Sequence, residues 1–66
     1  MTNEVWRRWS DDPPRLPGVP LLVRLGGFTW LDRIQDVQWI GVVEGLEWCA
    51  TGLYRQQYFE DTGRWV

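Results

Sequence analysis

The stretch that decides the fold is PLLVRLGGFTWLDRI, residues 20–34. It consists of two apolar runs separated by Gly26 and Gly27. A tight two-residue turn needs positive φ at both central residues, which glycine adopts without strain. The second run alternates, with Phe28 and Trp30 on one face. These residues predict a β-hairpin.

Turn signals continue downstream of the hairpin at intervals of about 8–10 residues, a spacing typical of small all-β domains. The first of these turns is predicted at Gln35-Asp36. Val37 to Val43 is predicted as a third strand with Trp39 on its inner face, and Leu46 to Ala50 as a fourth strand. Residues 53–60 fit a strand or a short helix, and both alternatives stay open. The pattern predicts a mainly β domain, or an α+β domain with one short helix, built as an antiparallel meander or a partly open barrel.

The N-terminal part of the chain is less regular. Residues 4–9 fit one helical turn or an edge strand. Three prolines then fall within residues 13–17, where they remove backbone donors and exclude both a helix and a central strand. Aromatic residues flank this segment, so we predict an ordered loop that lies across the domain.

The chain of 66 residues is long enough for one domain, residues 1–66. Domains of this size often add disulfides or a metal to a thin core. Cys49 is the only cysteine and there is no histidine, so we expect no intramolecular disulfide, no metal and no cofactor. Cys49 lies within a predicted apolar strand, so we predict that it is a buried structural thiol.

Six tryptophans compensate for the absence of such staples, since each can bury roughly 150–250 Å². Six indoles are too many for one small interior, so we divide them. The core set is predicted to be Trp30, Trp39 and Trp48. The partly exposed, partner-binding set is predicted to be Trp6, Trp9 and Trp65.

The residues needed for common catalytic mechanisms are missing. Ser10 is the only serine and has no histidine partner, which excludes a Ser-His-Asp triad. Carboxylate pairs are present, but a glycosidase needs two carboxylates about 5–10 Å apart across a cleft that a chain of this size cannot easily build. We therefore expect a binding protein and not an enzyme.

Charge is distributed unevenly along the chain. Residues 1–24 carry four arginines and three carboxylates, whereas residues 25–66 carry three arginines and six carboxylates. A solvated rim that keeps the protein soluble would explain this pattern. Alternatively, an acidic face docks on a basic partner and speeds and orients the encounter. The predicted acidic contacts are Asp32, Asp36, Glu44, Glu47, Glu60 and Asp61, several of which could share one rim that runs from Asp32 to Glu47.

The segment Trp6-Arg7-Arg8-Trp9 combines aromatic and positively charged side chains. Such a combination suits stacking on single-stranded bases, and equally suits cation–π contacts within the domain. The acidic remainder of the chain favours the intramolecular contact. A small single-stranded nucleic-acid-binding domain, or a peptide-binding domain with an aromatic groove, remains the alternative function.

No apolar run approaches the roughly 20 residues needed to span a bilayer, and the N-terminal residues lack the apolar stretch of a signal peptide. We expect a soluble cytoplasmic protein. A monomer and a weak homodimer are both compatible with the sequence.

Two resemblances add to these expectations. The segment WSDDPPRLPGVPLLV, residues 9–23, resembles the opening of a family of short tryptophan-rich phage and prophage proteins. The short, acidic, single-domain character of the whole chain resembles the phage-encoded anti-CRISPR proteins that act on type I-C systems. The second resemblance implies a bacterial host cell, a Cas subunit of the Cascade complex as partner, and inhibition by blocking DNA binding. It implies no individual site residue.

Overall fold

The computed structural model describes residues 5–62. Four strands form a single antiparallel sheet, and two helices accompany it. In chain order the elements are β1 (Arg7–Arg8), β2 (Leu21–Leu25), β3 (Phe28–Asp32), α1 (Ile34–Ile40), β4 (Glu47–Ala50) and α2 (Gly52–Thr62). The domain is therefore α+β, with the predicted antiparallel sheet and one helix more than the sequence indicated.

The β2–β3 hairpin is confirmed. Leu25 and Phe28 are paired across the turn, and the register continues to Leu21 and Asp32. The two turn glycines have φ values of 57° and 97°, as a primed two-residue turn requires. Of the two alternatives for residues 4–9, the edge strand is the one that forms, since β1 pairs with β4 at the opposite edge of the sheet.

The order of the strands is β1-β4-β2-β3, which is not that of a sequential meander. Both β3 and β4 pair antiparallel with β2, so they run in the same direction. The chain must therefore return between them, and α1 lies in this crossover. The crossover places β4 in the interior of the sheet, between β1 and β2.

The core occupies one face of the sheet. Leu21 and Val23 on β2 point to this face, together with Trp48 on β4, and all three are buried. Buried side chains from α1 and α2 join the same cluster. The opposite face carries Leu22, Arg24, Glu47 and Cys49, and of these four only Cys49 is buried.

The predicted third strand, Val37 to Val43, is wrong, as is the turn at Gln35-Asp36. Residues Ile34 to Ile40 form α1, in which Ile34 and Val37 are the buried side chains. Their spacing of three residues places them on one helical face, whereas a strand would have buried alternate residues. Gly41, with φ of 95°, ends the helix and donates its N–H to the carbonyl of Val37 at 3.0 Å.

The region left open between strand and helix is helical. Thr51 precedes α2, and its Oγ1 accepts a hydrogen bond from the backbone N–H of Tyr54 at 3.2 Å. The same hydroxyl donates to the carbonyl oxygen of Pro20 at 2.8 Å, which ties the start of α2 to β2. Tyr54 and Tyr58 are buried one turn apart on this helix. Within residues 5–62, neither helix has the length and apolar character needed to cross a bilayer.

The proline-rich loop lies across the domain, as predicted. Pro14 is buried, and the backbone N–H of Arg15 donates to the Tyr54 hydroxyl at 2.7 Å. Trp48 Nε1 donates to the carbonyl oxygen of Asp12, also at 2.7 Å. Two side chains of the core thus hold the backbone of a loop whose own backbone hydrogen bonds lie in the turns at its two ends.

Candidate protein-binding surface

The tryptophans are distributed differently from the prediction. Trp48 is buried and Trp30 packs against the core, as predicted. Trp39, however, is 87% exposed, and Trp9, predicted at the surface, is only 5% exposed. Trp9 is buried because its backbone N–H bonds to the carbonyl of Leu46, which extends the β1–β4 pairing and directs the indole into the core. Trp39 is exposed because it lies on the outer face of a helix.

The other two tryptophans predicted at the surface are Trp6 and Trp65. Trp6 is half-buried beneath the guanidinium of Arg24, which lies 4.1 Å from the centre of the ring. Trp65 lies outside the described residues. The predicted partner-binding tryptophans are therefore not brought together among residues 5–62.

Exposed apolar side chains are concentrated in α1 and in the loop that follows it. Trp39 and Ile40 are 87% and 69% exposed, and Val42 and Val43 are also exposed. Asp36 lies one turn before Trp39 and Ile40 on the same helical face, and Glu44 follows the valines. We call this set the α1 surface. It consists of Asp36, Trp39, Ile40, Val42, Val43 and Glu44.

The exposure of the α1 surface follows from the short length of the helix. Seven residues give two turns, and only Ile34 and Val37 face the core. Gly41 then ends the helix, and the chain reaches β4 through a loop in which Val42 to Gly45 are all exposed. Contiguous exposed apolar side chains of this kind are typical of sites that bind another macromolecule.

The charge of the α1 surface is entirely negative. No lysine or arginine occurs between Ile34 and Ala50. Asp36 and Glu44 are both exposed, and neither forms an ion pair with another residue in the described part of the chain. The apolar side chains are therefore flanked by one carboxylate at each end, and an arginine lines the same depression as each carboxylate, Arg33 beside Asp36 and Arg8 beside Glu44.

The six predicted acidic contacts do not form a continuous rim. Asp32 pairs with Leu21 at one end of the sheet, while Glu47 pairs with Arg24 at the other. Asp36 shares a shallow depression with Asp32, and Glu44 shares another with Glu47. Glu60 and Asp61 are exposed on α2. The rim divides because β3 and β4 run in the same direction, so Asp32 at the end of β3 and Glu47 at the start of β4 lie at opposite ends of the sheet.

Asp32 and Glu47 already have partners within the fold. Asp32 accepts hydrogen bonds from Trp30 Nε1 at 3.1 Å and from the backbone N–H of Arg33 at 2.8 Å. Glu47 Oε1 lies 3.1 Å from Nη2 of Arg24, its cross-strand neighbour. Of the carboxylates in residues 32–47, Asp36 and Glu44 are thus the two without a hydrogen bond or ion pair to another side chain among residues 5–62.

The aromatic and basic segment Trp6-Arg7-Arg8-Trp9 is largely engaged inside the domain. The guanidinium of Arg7 lies 5.6 Å from the centre of the Trp48 ring, and its Nη1 lies 3.4 Å from a carboxylate oxygen of Asp12. The cation–π contacts are intramolecular, as predicted, but they are not local, because each arginine lies over an indole distant in sequence. Arg8 is exposed and pairs across the sheet with Glu47.

An aromatic cluster of Trp48, Tyr54 and Tyr58 lies behind the proline-rich loop. The ring centroids of Trp48 and Tyr54 are 5.4 Å apart, and those of the two tyrosines 6.1 Å. An indole N–H and tyrosine hydroxyls on an aromatic groove are the groups that commonly hold proline-rich peptides. Here the groove holds the chain's own residues 12–17, so it is not open to a foreign peptide in this conformation.

Sequence reasoning missed Ile40, Val42 and Val43 as surface residues. The available signal was the spacing of Ile34 and Val37 followed by Gly41, which indicates a helix that ends at a glycine cap. Among residues 5–62, no cluster of carboxylate and cysteine side chains is arranged to hold a metal ion. No family model, no curated protein and no solved structure matches this chain.

Proposed function

We propose that the chain is a non-catalytic protein-binding domain that docks the α1 surface on a basic region of its partner. The observation that carries the proposal is the exposed Trp39, which is followed by exposed apolar residues at 40, 42 and 43 and flanked by the exposed carboxylates of Asp36 and Glu44. Tryptophan is enriched among the residues that dominate binding energy at interfaces. Asp36 and Glu44 would steer the encounter and fix its orientation.

In its most specific form, the proposal makes the chain an anti-CRISPR inhibitor. The partner is then a Cas subunit of a type I-C Cascade complex, and the bound domain covers the basic surface that receives DNA. This form is supported by the resemblance to small acidic phage inhibitors and by the negative charge of the α1 surface. A DNA-handling surface is basic, because it neutralises phosphates with lysine and arginine.

A binding measurement with purified type I-C Cascade tests the role of Trp39. Trp39→Ala should weaken binding by about 2 kcal/mol or more, which is the usual threshold for a hot-spot residue. Phe59→Ala is the matched control, because Phe59 is also an exposed aromatic residue but lies on α2. Equal affinities of the two variants would contradict the proposed surface.

Charge reversal tests the electrostatic part. The double variant Asp36→Arg and Glu44→Arg should bind more weakly and with a shallower dependence on salt. Asp32 and Glu47 are unsuitable for this test, since reversing them also breaks contacts within the fold. The control is Glu60→Arg with Asp61→Arg on α2. A larger effect of the control pair would place the acidic contact on α2 instead.

Competition with DNA tests the inhibitory mechanism. The domain should release target DNA from Cascade, or prevent its binding, in a mobility-shift assay. If Cascade does not bind the domain, the anti-CRISPR form is wrong. The broader proposal then rests on a host protein that wild-type bait and Phe59→Ala bait both capture and that Trp39→Ala bait does not.

Binding of single-stranded nucleic acid has less support than protein binding. That alternative depends on residues 6–9. Within this segment Trp9 is buried, and Arg7 lies against Trp48 and Asp12. A fluorescence titration with single-stranded DNA at low salt checks it. Saturable quenching of tryptophan at micromolar DNA would restore this alternative.

A further inference from the structure

The outer edge of β3 has no neighbour among residues 5–62. β3 pairs with β2 on one side and ends the strand order on the other. Among residues 5–62, Phe28 to Asp32 form no backbone hydrogen bonds other than those of the sheet. An unpaired edge presents backbone donors and acceptors to any strand that can approach.

The turn geometry shows which groups of β3 point outwards. A two-residue turn makes Leu25 and Phe28 a hydrogen-bonded pair, and hydrogen-bonded pairs alternate along an antiparallel ladder. Residues 28, 30 and 32 therefore direct their N–H and C=O groups towards β2. Thr29 and Leu31 direct theirs away from the sheet, which leaves four backbone groups at the edge.

The side chains of this edge do not protect it. Natural edge strands are usually guarded by lysine, proline, a bulge or very short length. Residues 28–31 contain no charge and no proline, and the pairing of β3 with β2 is continuous. Phe28 is 76% exposed and Leu31 is 64% exposed. The opposite edge, β1, is guarded, because it has only two residues and both are arginines.

We propose that β3 pairs antiparallel with β3 of a second copy of this chain, about a two-fold axis at Trp30. Thr29 of each copy then exchanges both backbone hydrogen bonds with Leu31 of the other. Phe28 faces Asp32 of the second copy, so no like charges are opposed along the pair. The result is one continuous sheet of eight strands, four from each copy.

Charge also distinguishes this edge from the α1 surface. An isologous contact places each patch against itself. The α1 surface would then oppose its carboxylates Asp36 and Glu44 to those of the other copy, and the surface itself contains no lysine or arginine. The β3 edge opposes no two like charges, since its one carboxylate, Asp32, faces Phe28. The second copy therefore fits β3, while a basic partner fits α1.

The contact is small, since each copy contributes five residues of backbone. Stable dimers generally bury more than about 1,200 Å² in total, so a weak dimer with a micromolar or higher dissociation constant is expected. Sedimentation equilibrium at protein concentrations from micromolar to millimolar measures it. The wild-type chain should show a reversible monomer–dimer equilibrium, and a strict monomer over this range would overturn the proposal.

Leu31→Pro is the decisive variant, because it removes the outward N–H and leaves the pairing with β2 intact. The dimer loses two hydrogen bonds by symmetry, so its dissociation constant should rise about 30-fold, or ~2 kcal/mol at 1.4 kcal/mol per tenfold. Leu31→Val keeps the N–H and should stay within about threefold of wild type, since the backbone bonds remain. Equal dimerisation of the proline and valine variants would place the contact elsewhere.

Cross-linking tests the register without relying on a proline variant that folds. The single variants Thr29→Cys and Leu31→Cys are mixed in a Cys49→Ala background and oxidised. The mixed disulfide should form in preference to either homodimer, and a Gln38→Cys control on α1 should cross-link poorly. Preference for Gln38 would contradict the β3 pairing. If the β3 edge instead binds a strand of a different protein, the purified wild-type chain should be a monomer. That result also overturns the proposal.

The two proposals fail separately. Trp39→Ala should leave dimerisation unchanged, because Trp39 lies on α1 and not at the β3 edge. Leu31→Pro should leave Cascade binding per protomer unchanged. A loss of both properties in either variant would indicate a general folding defect, which near-ultraviolet circular dichroism detects.

Discussion

The Tyr54 hydroxyl lies in the interior of the domain, where it accepts a hydrogen bond from the backbone N–H of Arg15. Burial raises the pKa of this hydroxyl above its ordinary value of 10.0, and the hydrogen bonds from Arg15 and Leu16 only partly oppose the shift. The unfolded chain keeps the ordinary value. At a pH between the two pKa values the unfolded chain has released the proton and the folded chain has not, so stability falls as pH rises.

We therefore expect the free energy of unfolding to decrease above about pH 10, and Tyr54→Phe to show a shallower decrease. The variant should also be less stable at neutral pH by about 1–3 kcal/mol, because the N–H of Arg15 loses its acceptor. Urea denaturation at a series of pH values measures both effects. An identical slope in the two proteins would mean that the Tyr54 hydroxyl titrates normally.

At the scale of single residues, the sequence predicted what depends on local chemistry. The glycine pair indicates the turn, because a tight turn needs positive φ. Cys49 is buried because cysteine usually is, and arginine contacts indole because of the chemistry of the two side chains. The division of the tryptophans did not follow, because an indole is equally suited to a core and to an interface. The predictions for Trp9 and Trp39 were both wrong, because the burial of each indole depends on the strand or helix in which the residue lies.

The hairpin is the element whose geometry depends most on particular residues. A side chain at either turn glycine would meet no atom within 4 Å, so only backbone conformation matters there. Gly26, at φ of 57°, is in the region that asparagine tolerates, whereas Gly27 has a φ of 97°. Gly27→Ala should therefore destabilise the domain by about 1–2 kcal/mol and Gly26→Asn by less than about 0.5 kcal/mol.

Thermal or urea unfolding of these two variants checks the hairpin prediction. Since neither substitution creates a steric contact, a difference between them reports backbone strain alone. Equal losses would show that the turn is not of the two-residue primed type on which the outward direction of Thr29 and Leu31 depends. The proposed edge pairing would lose its geometric basis in that case.

Among the elements, β2, β3 and β4 were predictable and α1 was not. The strands carry short apolar or alternating runs with glycine turns beside them. Residues 34–43 contain only short apolar groups, whose spacing fits a two-turn helix or an interrupted strand equally well. The exposed Ile40, Val42 and Val43 favoured the strand through their β-branched side chains. The helix is favoured because it buries Ile34 and Val37 together against the core. Such burial depends on the tertiary structure and cannot be read from the local sequence.

For the whole molecule, the insertion of β4 between β1 and β2 had no sequence signal. It depends on the pairing of Val23 with Trp48, two positions far apart in the chain. The same insertion sends Asp32 and Glu47 to opposite ends and so divides the predicted acidic rim. What remains as a candidate site is the α1 surface, which no element of residues 5–62 covers.

The contrast between two tryptophans tests whether binding and folding are separate in this domain. Trp48 is buried, and its Nε1 donates to the carbonyl of Asp12, so Trp48→Phe should cost about 2 kcal/mol or more through lost packing and an unsatisfied carbonyl. Trp39→Ala should change stability by no more than about 0.5 kcal/mol, because the side chain is almost fully exposed. Urea unfolding of both variants gives the comparison. A large loss in Trp39→Ala would make this indole part of the core and leave the α1 surface without its anchor. A small loss would leave Trp39 as a side chain that does not contribute to folding, as the proposed α1 surface requires.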